Sequence, residues 1–180
     1  MVNMRYNPDK HRRRSIRLRD YNYAQAGAYF VTICSRDRGF LFGEIMDGEM
    51  RLNVYGQLVL ECWDDLVNHY RHIELDAFVV MPNHVHGIII LNPPVGAGFK
   101  PAPTHGESAP IHGLPEIVRG FKTFSSRRIN QLRETAGQPV WQRSYYEHII
   151  RNESELDRTR QYILDNPAKW QEDSENPQTT

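Results

Sequence analysis

The chain is short of several things, and each shortage narrows the reading. Its 180 residues contain only two cysteines, Cys34 and Cys62, far apart and each in an apolar stretch. They form no CxxC pair, which argues against a thiolate zinc site and fits reduced core thiols in a cytoplasmic protein. No apolar run approaches the roughly 20 residues of a membrane-spanning helix, so no membrane partner is expected. No apolar segment follows the basic N-terminus, which reads as the absence of a secretory signal. No glycine-rich phosphate loop is present, so nothing points to ATP. Net charge is zero, with 22 basic and 22 acidic residues. The balance is uneven along the chain. Residues 1–20 hold Arg5, Lys10, Arg12, Arg13, Arg14, Arg17 and Arg19 against Asp9 and Asp20. A basic arm on a mildly acidic body suits contact with a polyanion, or is a solvated terminus.

What the chain does have is Pro82-Asn83-His84-Val85-His86-Gly87 inside an apolar run from Ala77 to Leu91. Such a run reads as two buried strands, or one bent strand, in the middle of a sheet. Side chains on a strand alternate, so His84 and His86 share a face and Val85 takes the other. Two imidazoles side by side would hold a divalent metal ion or be a hydrogen-bonded pair. Buried in an apolar strand, they lose free energy unless they find partners.

Around this motif the pattern predicts a strand over 28–34, a hairpin around Met46-Asp47-Gly48-Glu49, and a helix over 54–70 capped by Asn53. A strand over 72–81 leads into the histidine strand. Residues 92–112 form a Pro/Gly loop. A helix follows from Leu114 to about Arg133, with Pro115 in its first turn. Its polar face carries Arg119, Lys122, Arg127 and Arg128. Residues 140–150 read as a strand, and Ser154 as the cap of a last helix over 155–166, stopped by Pro167. The polar tail after Trp170 reads as frayed. The order suggests one α+β domain over 21–170, between an arm at 1–20 and a tail at 171–180. A ferredoxin-like antiparallel sheet with helices on one side is the natural architecture.

A metal on two histidines needs a further ligand and a chemical partner. Tyr162 and Asn166 stand at i and i+4 on the last helix, so they share a face beside its apolar positions. Tyr162 is a candidate nucleophile, and Asn166 could offer a carbonyl oxygen. Tyr145 and Tyr146 compete for the nucleophile's role, but as strand neighbours at most one of them faces the metal. His148 is a possible extra ligand. Tyr21, Tyr23 and Phe124 are candidates for stacking on unpaired bases.

Three blocks then fall into place together: Pro82-Asn83-His84-Val85-His86; Trp141-Gln142-Arg143-Ser144-Tyr145-Tyr146-Glu147-His148 with Arg151-Asn152; and Tyr162-Ile163-Leu164-Asp165-Asn166-Pro167. In this combination and order the chain resembles the REP-associated tyrosine transposases, relatives of the single-tyrosine HUH transposases of small insertion sequences. The resemblance implies a ferredoxin-like HUH endonuclease core that cleaves and rejoins single-stranded DNA beside hairpins. It implies His84 and His86 as metal ligands, Tyr162 as the nucleophile, Asn166 as the residue completing the metal site, and Mg²⁺ or Mn²⁺ as the ion. DNA contacts would come from Arg12, Arg13, Arg14, Arg17, Arg119, Lys122, Arg127 and Arg128, in a monomer or a homodimer. The competing expectations are a hairpin-binding protein that does not cut, a replication-initiator or relaxase-type nuclease, and a metallohydrolase that uses water.

Overall fold

A computed structural model describes residues 21–92 and 112–177. The predicted arm, with Arg12, Arg13, Arg14 and Arg17, and nearly all of the 92–112 loop lie outside the described residues, as do residues 178–180. The elements are β1 (Gly27–Cys34), β2 (Gly43–Met46), β3 (Glu49–Leu52), α1 (Val54–Asp64), α2 (Leu66–His69), β4 (Ile73–Val80), β5 (His84–Leu91), α3 (Leu114–Leu132), β6 (Tyr146–Ile150) and α4 (Glu153–Asp165). Four strands form one antiparallel sheet in the order β4-β5-β1-β6, while β2 and β3 make a separate hairpin. Without that hairpin and the short α2, the order is βαββαβ, the ferredoxin-like arrangement expected, followed by α4.

Local chemistry explains most boundaries. The apolar run is two strands, turned at Met81-Pro82-Asn83 and closed by Met81 N–H donating to the His84 carbonyl at 2.8 Å. Asn53 caps α1 as predicted, its Oδ1 accepting from Tyr55 N and Gly56 N at 2.9 and 3.0 Å. The helix expected to reach residue 70 is instead interrupted at Asp65, whose own backbone stays helical between α1 and α2. The last helix starts earlier than predicted, because Asn152 caps it by accepting from Glu155 N. The strand expected over 140–150 is regular only over β6. Before it, Trp141 makes an isolated bridge to Ser35.

Alternation sorts the sheet into two faces. On one, Tyr29, Val31 and Ile33 of β1 and Val85 and Ile89 of β5 pack with α1 and α3, through Val59, Trp63, Ile117 and Phe121. Trp63 stacks on Phe78 at 4.2 Å and lies across Gly87, where a Cβ would come within 2.5 Å of its ring. On the other face, Phe30, Ile88 and Ile150 meet Leu156 and Ile163 of α4. Helices therefore cover both faces, not one as expected. The cause is that α4 carries its own apolar stripe and returns across the side that α1 and α3 leave open. The expected frayed tail is also folded: residues 170–172 form a 3₁₀ turn, and Trp170, Asp173 and Asn176 are buried. Polar composition misled here, because the segment is fastened through backbone carbonyls.

Candidate metal centre and its tyrosine

His84 and His86 stand on the α4 face of β5, both buried, with their Nε2 atoms 2.9 Å apart. The hydrogen bonds behind them orient the rings. Asn83 uses its Nδ2 to donate to the carbonyls of Arg38 and Glu175, so its Oδ1 is the acceptor facing His84 Nδ1 at 2.8 Å. His84 Nδ1 is thus the N–H, and its Nε2 presents a lone pair to the site. His86 Nδ1 meets Thr32 Oγ1 at 2.8 Å, and Phe30 stacks on its ring at 5.4 Å. Burial pushes both imidazoles down, His86 to about 3 and His84 well below its ordinary value, with His86 and Arg38 adding to the effect at His84. Both rings are neutral bases near pH 7, the form in which histidine binds metals.

The third group is one that the sequence did not reveal. Asp173 Oδ2 lies 3.6 Å from His84 Nε2, and Asp173 forms one cluster with the two histidines, all potential ligand atoms within 4.8 Å of each other. Because His84 is neutral, this contact is no ion pair. Burial raises the Asp173 carboxyl, while a 2.6 Å hydrogen bond from Glu175 N works the other way. The surrounding tail is tied down. Glu175 takes a 3.0 Å contact from Arg38 and a 3.2 Å one from Cys34 Sγ, and its carbonyl accepts from Asn83. Trp170 lies over His84, with ring centroids 6.0 Å apart. Cys34 lies outside the cluster, its thiol donating to Glu175, and burial and Glu175 push that thiol up to about 12. The cue in the sequence was Trp170, an anchor just before the polar stretch.

The last turn of α4 brings Tyr162 and Asn166 to the same place. Tyr162 Oη is 3.5 Å from His86 Nε2, and its ring is 5.3 Å from the imidazole. The residue remains 47% exposed, so it faces solvent as well as the cluster. Burial raises its pKa, the Asp173 charge adds to this, and a hydrogen bond from Asn166 opposes it. Asn166 also hydrogen-bonds Asp173. A carboxylate can only accept, so the amide nitrogen does this work, and Asn166 Oδ1 is left buried without a hydrogen-bond partner. Two imidazole nitrogens and a carboxylate converge here, with the Asn166 amide beside the carboxylate. This mixed nitrogen and oxygen donor set fits a divalent cation.

The other candidates separate. Tyr145 packs on the opposite face, with Lys122 Nζ 5.5 Å from its ring centre. Tyr146 is on the metal face. His148 is held by Glu155 at 2.7 Å and is outside the cluster. Arg119, Lys122 and Arg127 line a groove of about 1090 Å³ between α3 and residues 136–145, joined by Arg143. Lys122 there anchors the carbonyls of Gln142 and Ser144 at 2.8 and 3.0 Å. Arg128 turns away to Glu61, 2.6 Å distant on α1. Tyr23 is core and Tyr21 packs on it, while half-exposed Phe124 stacks on His69.

Comparison with known proteins bears on the fold and the family. No protein-family model matches the chain. An uncharacterized protein of Haemophilus influenzae is 40% identical over 177 residues, covering 94% of this chain and 96% of that one. A second Haemophilus influenzae protein, named "Putative REP-associated tyrosine transposase", is 25% identical over 148 residues, covering 82% of this chain and 74% of the relative. Among solved structures, a REP-associated tyrosine transposase bound to a REP hairpin matches with a TM-score of 0.59 and 22% identity, over 87% of this chain and 74% of that one. The chain belongs to one family with the first of these, and its resemblance to the REP-associated tyrosine transposases is borne out in fold and in sequence.

Proposed function

We propose that this chain is a metal-assisted tyrosine transposase, which cleaves and rejoins single-stranded DNA beside a REP-like hairpin through a covalent 5′-phosphotyrosine on Tyr162. The observation carrying the reading is the 3.5 Å approach of the Tyr162 hydroxyl to His86 inside the donor cluster. His84, His86 and Asn166 would hold magnesium or manganese, with Asp173 as an added ligand, and the ion would supply positive charge to a phosphate oxygen.

The chain's own residues account for the rest. Tyr162 Oη attacks phosphorus; the new O–P bond forms as the bond to the 3′-oxygen breaks. The phenolic proton passes to solvent, which reaches the half-exposed ring, and the departing 3′-oxygen takes up a proton. Burial and Asp173 keep the phenol protonated near pH 7, so it loses its proton during attack and not before. Attack by the 3′-hydroxyl of another DNA end on the phosphotyrosine rejoins the strand and returns Tyr162. The phosphoester bond is conserved throughout, so no nucleotide triphosphate is needed. Thr32 and Asn83 keep the two imidazoles turned toward the site. Arg119 and Arg127 on the α3 groove, with the arginines of the 1–20 arm, would contact backbone phosphates away from the reacting bond.

The test is incubation of the purified chain with a labelled single-stranded hairpin oligonucleotide from the DNA beside its own gene, with Mn²⁺ or Mg²⁺, on a denaturing gel. A covalent band is expected that EDTA and Tyr162→Phe each abolish, while the Tyr162→Phe protein still binds the hairpin. An adduct that survives in Tyr162→Phe sinks the assignment. Tight binding without any adduct makes the chain a hairpin-binding protein instead.

A further inference from the structure

β6 is the edge strand of the sheet, and Tyr146 opens it directly opposite Thr32, the residue that holds His86. Tyr146 therefore stands on the metal face, while Tyr145 is turned to the other side. Its ring is 52% exposed and rests edge-on against Phe30, with centroids 6.3 Å apart. Phe30 is itself buried. It stacks on His86 on one side and meets Tyr162 edge-on at 5.9 Å on another. One buried ring thus forms the floor between two open ones, the tyrosine beside the histidines and the tyrosine at the sheet edge.

We propose that Tyr146 is a stacking platform for the unpaired nucleobase flanking the phosphodiester that is presented to Tyr162. The inference rests on the transposase reading above and makes Tyr146 a positioning residue. An aromatic ring fixed on a strand offers a face to any base, and base stacking tolerates sequence because every base has a π-face. Sited one buried ring from the nucleophile, such a platform sets which phosphate along a flexible single strand reaches Tyr162, and so turns affinity into register. Tyr146 is half-exposed at the sheet edge, so part of its ring is available to a ligand. A second nucleophile is the poorer assignment: the ring contact of Tyr146 is with Phe30, whereas that of Tyr162 is with His86 itself.

The experiment uses the full chain carrying Tyr162→Phe, so that no cleavage intervenes, and a hairpin oligonucleotide with oligo(dT) flanks. Single thymidines in the flanks are replaced in turn by 5-iododeoxyuridine, and photocrosslinked peptides are mapped by mass spectrometry. Crosslinks to Tyr146 are expected from one or two adjacent positions. Adding Tyr146→Ala should weaken binding of the flanked hairpin by about tenfold, leave binding of a flankless hairpin unchanged and leave Tm unchanged. Tyr146→Phe should bind within about twofold of the parent, since the stacking face is kept. In the otherwise wild-type chain, Tyr146→Ala should raise KM for the flanked substrate and spread adduct formation over more than one phosphate. Crosslinks only to other residues, or equal binding by Tyr146→Ala, would overturn the proposal, as would failure to bind the flanked hairpin at all. Crosslinks to Tyr146 in a chain whose Tyr162 never forms an adduct would leave the platform standing and remove the cleavage reading.

Discussion

On β5, Val85, Gly87 and Ile89 face one way, and His84, His86 and Ile88 the other. The two sides they enter are unequal. The α1–α3 side gathers most of the buried apolar residues, including Trp63, Phe42, Phe121 and Trp141. The α4 side has a cluster of five buried apolar residues, and beside it stand two histidines, an asparagine, an aspartate, the buried Trp170 and two half-exposed tyrosines. Burial of apolar area is the main stabilising term in folding, so the large side can hold the sheet in place while the small side keeps polar groups out of water. The division shows how a strand of period two serves a core and a candidate metal site with alternate residues.

Four substitutions would break or sharpen that division. The largest effect on folding is expected from Trp63→Ala, which removes a nearly inaccessible ring and should cost about 3–5 kcal/mol in urea unfolding without altering metal affinity per folded molecule. Gly87→Ala tests the same side by overpacking. Its new methyl meets Trp63 and Phe78, and a loss of about 1–3 kcal/mol is expected from the same measurement. On the small side, Asp173→Ala should leave Tm within a few degrees but weaken Mn²⁺ binding in calorimetry by at least tenfold, the scale seen even for outer groups of metal sites. A large drop in Tm with unchanged affinity would mean that Asp173 is a fastener of the tail and not a ligand.

The smallest effect belongs to Asp76→Asn, at the seam between α4 and β4. Arg160 approaches the Asp76 carboxylate at 2.9 and 2.7 Å and holds its pKa below the ordinary range. A folded-state pKa below the unfolded value stabilises at neutral pH, and that contribution fades as pH falls through the unfolded value of about 3.9 toward the lower folded one. The Tm gap between wild type and Asp76→Asn should therefore be small at pH 7 and shrink below about pH 4. A gap that widened with acid would contradict the assignment.

Much of this was legible in the sequence, for definite reasons. Alternation alone put His84 and His86 on one face, and a spacing of four put Tyr162 and Asn166 on one side of a helix. The Asn53 cap and the Met46–Glu49 turn follow from local chemistry that distant contacts do not override; Asp47 and Gly48 adopt the positive φ such a turn requires. The side of the sheet taken by α4 was not legible, because Leu156 and Ile163 make a narrow stripe that does not say which face it covers. Asp173 was hidden for a different reason. Its segment is held by side chains reaching backbone carbonyls, such as Asn83 to Glu175 and Arg38 to Ser174, and a carbonyl leaves no mark in the residue sequence. Tyr23 looked like a base-stacking residue, yet it is buried in the core beside Tyr29. Exposed aromatics and buried ones read alike until the fold is known.

The most direct test of the small face as a reactive centre is to digest the metal-dependent protein–DNA adduct and identify the modified peptide by mass spectrometry. The account predicts a single phosphonucleotide on Tyr162. The same mark on Tyr146 or Tyr145, or on no tyrosine at all, would contradict it.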